Sequence, residues 1–272
     1  MGNMLPRVHL WEWHDLSWFP NQARAHVMEV LAIGWMTPPL YLIDVALQQL
    51  RTVMETTGRT HVVDLCSGGG GPMIHAAKTD IKVTLTDLYP QTELWEKHAL
   101  RSDGNITYKA ESVSALAMPQ GITGLRTLWC AFHHFRPEQA TQILASAVQC
   151  GEPILIYELT RRSLVQTLFI VLGTLNVSLV FPLLGWLSMD WKSVLITYVL
   201  PLYPFIVVFD GMVSCMRTYT KAEMVAMVEK ADPDGSFTWK VQEVQVRWWL
   251  PGMNMISLIG LPKSTSGIQS KA

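Results

Sequence analysis

The sequence predicts an α/β fold in which a parallel sheet carries a helical extension before it and an apolar helical insertion within it. Two observations predict the sheet. Short apolar runs alternate with helical patterns over residues 59–162, and the alternation resumes over residues 216–263. A third observation predicts the insertion, because residues 163–215 are almost free of charged side chains. We therefore expect one sheet domain whose two parts are separated in the chain by an apolar helical segment.

Composition excludes several classes of protein. The chain has 272 residues, of which 49% are hydrophobic and 16% charged, below the roughly 25% charged residues usual in soluble domains. A formal net charge of −1 gives no electrostatic reason to expect nucleic acid as a partner. The four cysteines show no paired spacing, so we expect no disulfide framework, no metal site and a reducing compartment.

The segment before the sheet, residues 1–58, is predicted to be a helical cap. One helix is expected from about residue 22 to 36 and a second from about residue 40 to 55, with Pro38-Pro39 between them. Gly58 suits the end of the second helix, because glycine accepts the left-handed conformation found there.

Apolar runs bounded by turn residues predict the strands. The helical patterns between them are clearest over residues 137–149 and 221–231, and a flexible polar tail is expected over 264–272. The predicted strands lie at residues 61–65, 82–87, 106–109, 126–132, 153–159, 237–247 and 255–261.

A glycine-rich turn is the strongest chemical signal. The first strand ends at the acid Asp64 and runs through Cys66 and Ser67 into glycines 68–71, before a helix. Glycines accept positive φ and let a ligand approach the backbone, while the helix start offers free N–H groups. Asp87 follows 23 residues after Asp64, at the end of the second strand, where an acid commonly binds ribose hydroxyls. The alternative is an ordinary tight turn beside a strand-end acid.

The run Asp64-Leu65-Cys66-Ser67-Gly68-Gly69-Gly70 resembles motif I of class I S-adenosylmethionine-dependent methyltransferases, usually (D/E)-x-G-x-G-x-G. Cys66 stands where the family usually has its first glycine. The resemblance covers residues 59–160 and, by strand order, 216–263. It implies a Rossmann-like doubly wound sheet with one antiparallel strand near the C-terminus, and S-adenosylmethionine as the cofactor. Residues 210–220 are also similar to a group of uncharacterised bacterial methyltransferase-like proteins.

The resemblance also assigns cofactor-binding residues near the ends of the first four strands. By motif position, Asp87 would hold the adenosine ribose, and the acid after the third strand would lie near the adenine. Residues of the glycine-rich turn would neighbour the methionine part. The predicted cofactor-binding residues are Asp64, Cys66, Gly68, Gly70, Asp87, Glu111, Ser112 and Phe132.

Two adjacent histidines follow the fourth strand, at the edge where doubly wound sheets bind ligands. In the family this point faces the reactive methyl group. An imidazole can take a proton from a hydroxyl or an acidic carbon near neutral pH, so His133 and His134 are candidate catalytic residues. The alternative is that one of them packs structurally and hydrogen-bonds a backbone carbonyl.

An aromatic segment near the N-terminus mixes tryptophans with polar residues. In the family, elements before the first strand often cover the active site, so Trp11, His14 and Trp18 are predicted to bind substrate as part of a lid. The alternative is a cap that buries its rings against the sheet. The same composition also suits a membrane interface.

The apolar block allows two interpretations. Its uncharged runs, 164–181 and 194–209, suit either a helical hairpin that enters or crosses a bilayer or a lid over an apolar substrate. Arg161 and Arg162 before the block and Arg217 after it favour anchoring from the cytoplasmic side.

We therefore expect membrane association through residues 163–209, at the cytoplasmic side of a membrane, with a soluble cytoplasmic protein as the alternative. No signal peptide is expected, because Glu12 and Asp15 interrupt the N-terminal stretch.

These features support three functional hypotheses. The first is a methyltransferase that acts on a small hydrophobic molecule such as a lipid, quinone, terpenoid or polyketide. The second keeps the fold but uses a pocket of Trp11, Trp13 and Trp18 beside His133 to cyclise or rearrange a hydrophobic intermediate without methyl transfer. The third is a non-enzymatic, membrane-anchored binding module. The sequence specifies neither the substrate, the methylated atom nor the oligomeric state.

Overall fold

A computed structural model describes residues 6–36, 40–119, 121–186, 189–247 and 253–263. Their framework is a seven-stranded sheet in the order β3-β2-β1-β4-β5-β7-β6. The strands are β1 His61–Asp64, β2 Lys82–Leu85, β3 Ile106–Tyr108, β4 Leu125–Trp129, β5 Ile154–Glu158, β6 Phe237–Gln245 and β7 Asn254–Pro262.

The directions of the strands confirm the predicted fold class. Strands β1 to β5 run parallel to one another, and β7 is antiparallel to both β5 and β6. The sheet thus has the parallel strands and the single antiparallel strand near the C-terminus that the resemblance implies. The fold is a class I, Rossmann-like α/β sandwich.

Nine α-helices lie among the described residues. Helices α1 and α2 precede the sheet, and Gly58 ends α2 in the left-handed conformation, with φ +65°. The predicted break at Pro38-Pro39 and the predicted tail 264–272 lie outside the described residues. The helices are α1 Asn21–Gly34, α2 Leu42–Thr57, α3 Met73–Ala76, α4 Thr92–Ala99, α5 Pro137–Cys150, α6 Leu164–Leu179, α7 Trp191–Val194, α8 Leu202–Arg217 and α9 Lys221–Ala231.

Helices cover both faces of the sheet, so every residue of β4 and β5 is buried. Leu50 of α2, Met73 of α3 and Trp95 of α4 belong to the core on one face. Leu144 of α5 and Met224 of α9 belong to the core on the other. This sandwich places the carboxyl ends of the parallel strands along one edge, where the sequence predicts the site.

The apolar insertion is helical. Helix α6 packs along α8, and a single π-helical turn, Leu195–Val199, joins α7 to the bend before α8. The contact is close at Gly211, where a Cβ would lie 2.8 Å from Ile170 Cγ2. The sequence suggests a turn at Asp210-Gly211, and this interpretation is wrong because both residues lie inside α8. Gly211 serves helix packing rather than a turn.

The N-terminal cap and the insertion pack together. Val27 and Val30 of α1 share an apolar cluster with Val177, Phe181 and Val207 of the insertion. Among the described residues, no single helix has the length and apolarity needed to cross a bilayer. The pair Trp191–Val199 and Leu202–Arg217 meets that criterion only when taken together, across a 66° bend. The expectation of a transmembrane helix is therefore not supported.

Candidate active site

The glycine-rich turn after β1 has the backbone that its sequence suggests. Gly68 and Gly70 have φ values of +49° and +90°. Cys66 also has a positive φ, +57°, which is costly for a residue with a Cβ. This conformation explains why glycine is usual in the family at the position that Cys66 occupies.

Hydrogen bonds join the turn to the ends of the next two strands. The Gly68 N–H donates to Asp87 Oδ2 over 2.8 Å, and the Tyr89 N–H donates to Asp87 Oδ1 over 2.8 Å. The hydroxyl of Ser112 donates to the Leu88 carbonyl, beyond β3. Gly68 thus contacts Asp87 directly, and Ser112 contacts Leu88, the residue that follows Asp87. Glu111 and Ser112 are exposed, so this end of the site is open to solvent.

The carboxylate of Asp64 faces β4. Its Oδ1 accepts a hydrogen bond from the Thr127 hydroxyl at 2.6 Å, and the residue is buried. Burial raises the pKa of Asp64 to about 7, although hydrogen bonds from Thr127 and Ser67 oppose the rise. Asp64 therefore lies in the protein interior between the glycine-rich turn and β4.

Helix α1 covers the methionine end of the predicted cofactor site. A Cβ on Gly68 would lie 2.7 Å from Met28 Sδ, and a Cβ on Gly69 would lie 2.5 Å from the Met28 carbonyl oxygen. Ala32, one turn further along α1, would also contact that Cβ. Gly69 is therefore required by the close approach of the α1 backbone, whether or not a cofactor binds, whereas the Met28 side chain over Gly68 can move.

Phe132, another predicted cofactor-binding residue, belongs to the core. Its side chain is fully buried and packs against the ring of Tyr219, with centroids 5.6 Å apart. Phe132 therefore anchors the loop after β4 to the core.

Both histidines after β4 are held by carboxylates. His133 Nδ1 lies 2.7 Å from Glu158 Oε2, and the backbone N–H of His133 donates to Glu158 Oε1 over 3.1 Å. His134 Nδ1 lies 2.8 Å from Asp15 Oδ1. Burial would lower the pKa of His134, but Glu12 and Asp15 raise it to about 9. His134 is therefore cationic at neutral pH when only these groups surround it.

Glu12 lies at the centre of this cluster. Arg217 Nη1 donates to Glu12 Oε1 over 2.9 Å and to Asp15 Oδ2 over 2.7 Å. Burial would raise the pKa of Glu12, but the imidazoles of His134, His133 and His14 and the guanidinium of Arg217 lower it overall. The carboxylate of Glu12 therefore stays ionised in a buried position.

The aromatic segment joins the cluster to the insertion. His14 Nδ1 lies 2.8 Å from Asp210 Oδ2, and the Trp13 N–H donates to Asp210 Oδ1 over 2.8 Å. Trp11 packs on Phe209 of α8. Trp11 and Trp18 remain 47% and 67% exposed, so the structure brings the predicted substrate-binding residues together as a partly exposed aromatic surface.

Sequence reasoning missed the acids and the arginine that complete the cluster. Asp210 was interpreted as a turn residue, and Arg217 as a charge flanking the apolar block. A charged residue within an otherwise apolar run is the one local signal that could have singled out Asp210. The missed residues are Glu12, Glu158, Asp210 and Arg217.

Comparison with known proteins adds likeness of fold. No protein-family model matches the sequence, and no curated protein matches it. The methyltransferase domain of bacterial CtHen1-CN is 10% identical, with a TM-score of 0.49, over 82% of this chain and 99% of that one. Magnesium protoporphyrin IX methyltransferase from Synechocystis PCC 6803, solved with bound SAH, is 13% identical, with a TM-score of 0.48, over 86% of each chain.

The chain has the class I methyltransferase fold. The strand order and strand directions of its own sheet define this fold. A further match is a Rhodobacter sphaeroides protein provisionally assigned to the Zn-dependent alcohol dehydrogenases, at 12% identity and a TM-score of 0.49, over 89% of this chain and 98% of that one. Likeness at this level carries no argument about activity, which has to be argued from the residues of the site.

Proposed function

We propose that this protein is an S-adenosylmethionine-dependent methyltransferase that acts on a small hydrophobic substrate. One observation carries the proposal: the Gly68 N–H donates to the Asp87 carboxylate at the carboxyl edge of a sheet with the class I strand order. Ligands of doubly wound sheets bind at this edge.

The adenosine end of the site fits such a cofactor. Asp87 would hold the ribose, and the exposed Glu111 and Ser112 lie beside it. The methionine end fits once α1 moves away from Gly68 and Gly69, because Met28 fills that space. The cofactor, when bound, supplies an activated methyl group, so the protein has to align the substrate and exclude water.

The surroundings of the histidines support an apolar substrate with a polar reacting group. The rings of Trp11, Trp13, Trp18 and Phe209 form a continuous aromatic surface above the cluster. Glu158 holds Nδ1 of His133, and His133 Nε2 is buried without a hydrogen-bond partner among the described residues. His133 Nε2 would take a proton from a substrate whose reacting group reaches this buried position.

We also propose that the insertion contacts a lipid surface. The insertion presents large apolar side chains to solvent, including two tryptophans, Trp186 and Trp191, of the kind that settle at membrane interfaces. The most exposed apolar side chains of this surface include Leu164, Leu168, Leu183, Leu184, Trp191 and Phe205. A substrate that partitions into lipid would then meet the site at the membrane surface.

Calorimetric titration with S-adenosylmethionine and with S-adenosylhomocysteine tests the cofactor. We expect binding to the wild-type chain, and at least about tenfold weaker binding to Asp87→Asn, whose side chain loses the charge that ribose hydroxyls donate to. Glu96→Gln, at an exposed acid on α4, is the matched control and should bind like wild type. Absence of binding by folded wild-type protein would refute the proposal.

Mass spectrometry of products tests the reaction. Incubation with a panel of quinols, lipids and polyketide phenols should give a product heavier than its substrate by one CH₂. A product of unchanged mass would instead favour the rearrangement hypothesis.

Flotation with vesicles of phosphatidylcholine and phosphatidylglycerol tests the lipid contact. Leu183 is 74% exposed on the insertion, and Leu100, beside α4, is 81% exposed. We expect Leu183→Ser to reduce vesicle binding and Leu100→Ser to leave it unchanged. Equal binding by both variants, or none by wild type, would contradict the proposal.

A further inference from the structure

Three imidazole nitrogens surround the buried carboxylate of Glu12. His133 Nε2 lies 3.7 Å from Glu12 Oε1, His134 Nε2 lies 3.7 Å from Oε2, and His14 Nε2 lies 3.6 Å from Oε2. Ligand atoms of Glu12, His133 and His134 all lie within 4.8 Å of one another. The side chains of Glu12 and His133 are 1% and 3% exposed, whereas that of His134 is 19% exposed, so the group is buried except on the side of His134.

The opposite nitrogen of each imidazole is bound to a different carboxylate. Nδ1 of His133, His134 and His14 lies 2.7, 2.8 and 2.8 Å from Glu158, Asp15 and Asp210, respectively. An ionised carboxylate only accepts hydrogen bonds, so each Nδ1 carries its proton. A neutral imidazole held in this way has its lone pair on Nε2, which is the usual arrangement for imidazoles that ligate metals. At His134 the metal ion would replace the second proton, because metal binding to imidazole releases protons.

The distances around Glu12 exceed those of hydrogen bonds. An imidazolium paired with a carboxylate closes to about 2.7–2.9 Å, as the Nδ1 contacts here do. The Nε2 contacts stay at 3.6–3.7 Å, and Glu12 Oε2 and His133 Nε2 have no hydrogen-bond partner among the described residues. Ligands at about 2.1 Å from a tetrahedral Zn²⁺ are about 3.4 Å apart, close to this spacing.

The charge of the cluster also favours a cation. Four carboxylates, those of Glu12, Asp15, Glu158 and Asp210, contact these imidazoles, and within this group Arg217 bonds only Glu12 and Asp15. With neutral imidazoles, a divalent ion would offset most of the remaining negative charge in a space where unpaired charge is costly.

We propose that Glu12, His133 and His134 bind one divalent transition-metal ion. Imidazole nitrogen and carboxylate oxygen are ligands that suit Zn²⁺ and Fe²⁺. The ion would join the N-terminal segment to the loop after β4. With the ion bound, Nε2 of His133 would be a ligand and would no longer accept a proton. A hydroxyl bound to the ion would instead lose its proton near neutral pH. The site does not require the proposed methyl transfer.

Metal binding to chelator-treated protein, without S-adenosylmethionine, is the test. We expect Zn²⁺ to bind with a stoichiometry of one, and Co²⁺ to give visible absorption typical of nitrogen and oxygen ligands. His134→Ala and Glu12→Gln should each weaken Zn²⁺ binding by at least about 100-fold. Asp15→Asn, which keeps the ligands but changes the partner of His134 Nδ1, should weaken it by about 10- to 100-fold.

His98→Ala is the matched control, because His98 lies on α4, outside the cluster, and should bind Zn²⁺ like wild type. Circular dichroism checks that each variant is folded, and Asp15→Asn keeps the test decisive if a ligand variant unfolds. Absence of stoichiometric Zn²⁺ and Co²⁺ binding by folded wild type, or equal binding by all folded variants, would overturn the proposal. Cofactor affinity is measured in separate titrations, so failure of one proposal is distinguishable from failure of the other.

Discussion

A Cβ placed on Gly69 would lie 2.5 Å from the backbone oxygen of Met28. Helix α1 therefore approaches the turn after β1 more closely than any side chain at this position would allow. Since the contact is with backbone, it cannot be relieved by a change of rotamer on α1. The packing of the N-terminal cap on the sheet depends on this glycine.

We expect Gly69→Ala to reduce the free energy of unfolding by about 1–3 kcal/mol, because the added methyl group overpacks the contact with α1. Gly173→Ala is the control: Gly173 lies inside α6, and no atom of the described residues lies within 4 Å of the added carbon. It should stabilise the protein by about 0.5–1 kcal/mol. Urea denaturation measures both, and a neutral Gly69→Ala would show that α1 yields easily.

Cofactor binding is expected to loosen α1. Because Met28 fills the space over Gly68, hydrogen exchange of amides in Asn21–Gly34 should become faster when S-adenosylhomocysteine binds. Amides of α5, Pro137–Cys150, on another face of the sheet, should be unchanged. Slower exchange in α1 would show that the ligand binds beneath a closed helix.

Stability should fall as pH rises between about 4 and 7 because of Asp64. Its pKa is raised to about 7 in the folded protein, whereas an aspartate in an unfolded chain titrates near 3.9. In this window the folded state holds the proton that the unfolded state has lost, so the slope is negative and reaches up to about 1.4 kcal/mol per pH unit.

Asp64→Asn keeps an acceptor for Thr127 and should remove this slope. Asp103→Asn, at an exposed acid with positive φ that asparagine tolerates, is the control and should retain it. Denaturation at several pH values measures the difference. The same slope in wild type and Asp64→Asn would disprove the assignment to Asp64.

Loss of Arg217 should be costly. Its guanidinium is 3% exposed and bonds Glu12, Asp15 and the His134 carbonyl. In chelator-treated protein, Arg217→Gln should reduce the free energy of unfolding by about 3–5 kcal/mol, because buried carboxylates lose their partner. Arg101→Gln, at an exposed position, should change it by less than about 0.5 kcal/mol. Similar values for both variants would argue against a buried ion-pair network.

The parallel part of the sheet was predictable because its strands are short, continuous apolar runs. Val62-Val63 and Ile154–Ile156 are buried in a sheet that is covered on both faces. Apolar runs as short as these are typical of strands in such a parallel sheet. Strand β4 ends at Trp129, three residues before the predicted end, since Cys130 has a φ of +53° and leaves the extended conformation. Composition does not reveal such a conformation at a cysteine.

The site was predictable only where its residues come directly after a strand in the sequence. Gly68, Asp87 and His133 each follow a strand, so strand order alone brings them to one edge. Glu12 reaches the same place through the extended N-terminal segment and Asp210 through α8, and periodicity does not encode where either of them packs. The cover that Met28 forms over Gly68 likewise depends on tertiary packing.

Glu12 and Arg217 are 205 positions apart in the chain, and they meet at the centre of the cluster. Contacts of such separation carry the largest loop-closure entropy and are slow to form. A nascent chain completes β1 to β5 by residue 158, well before Arg217 has been synthesised. We therefore expect the cluster to assemble late in folding, so that only fully folded molecules contain a complete site.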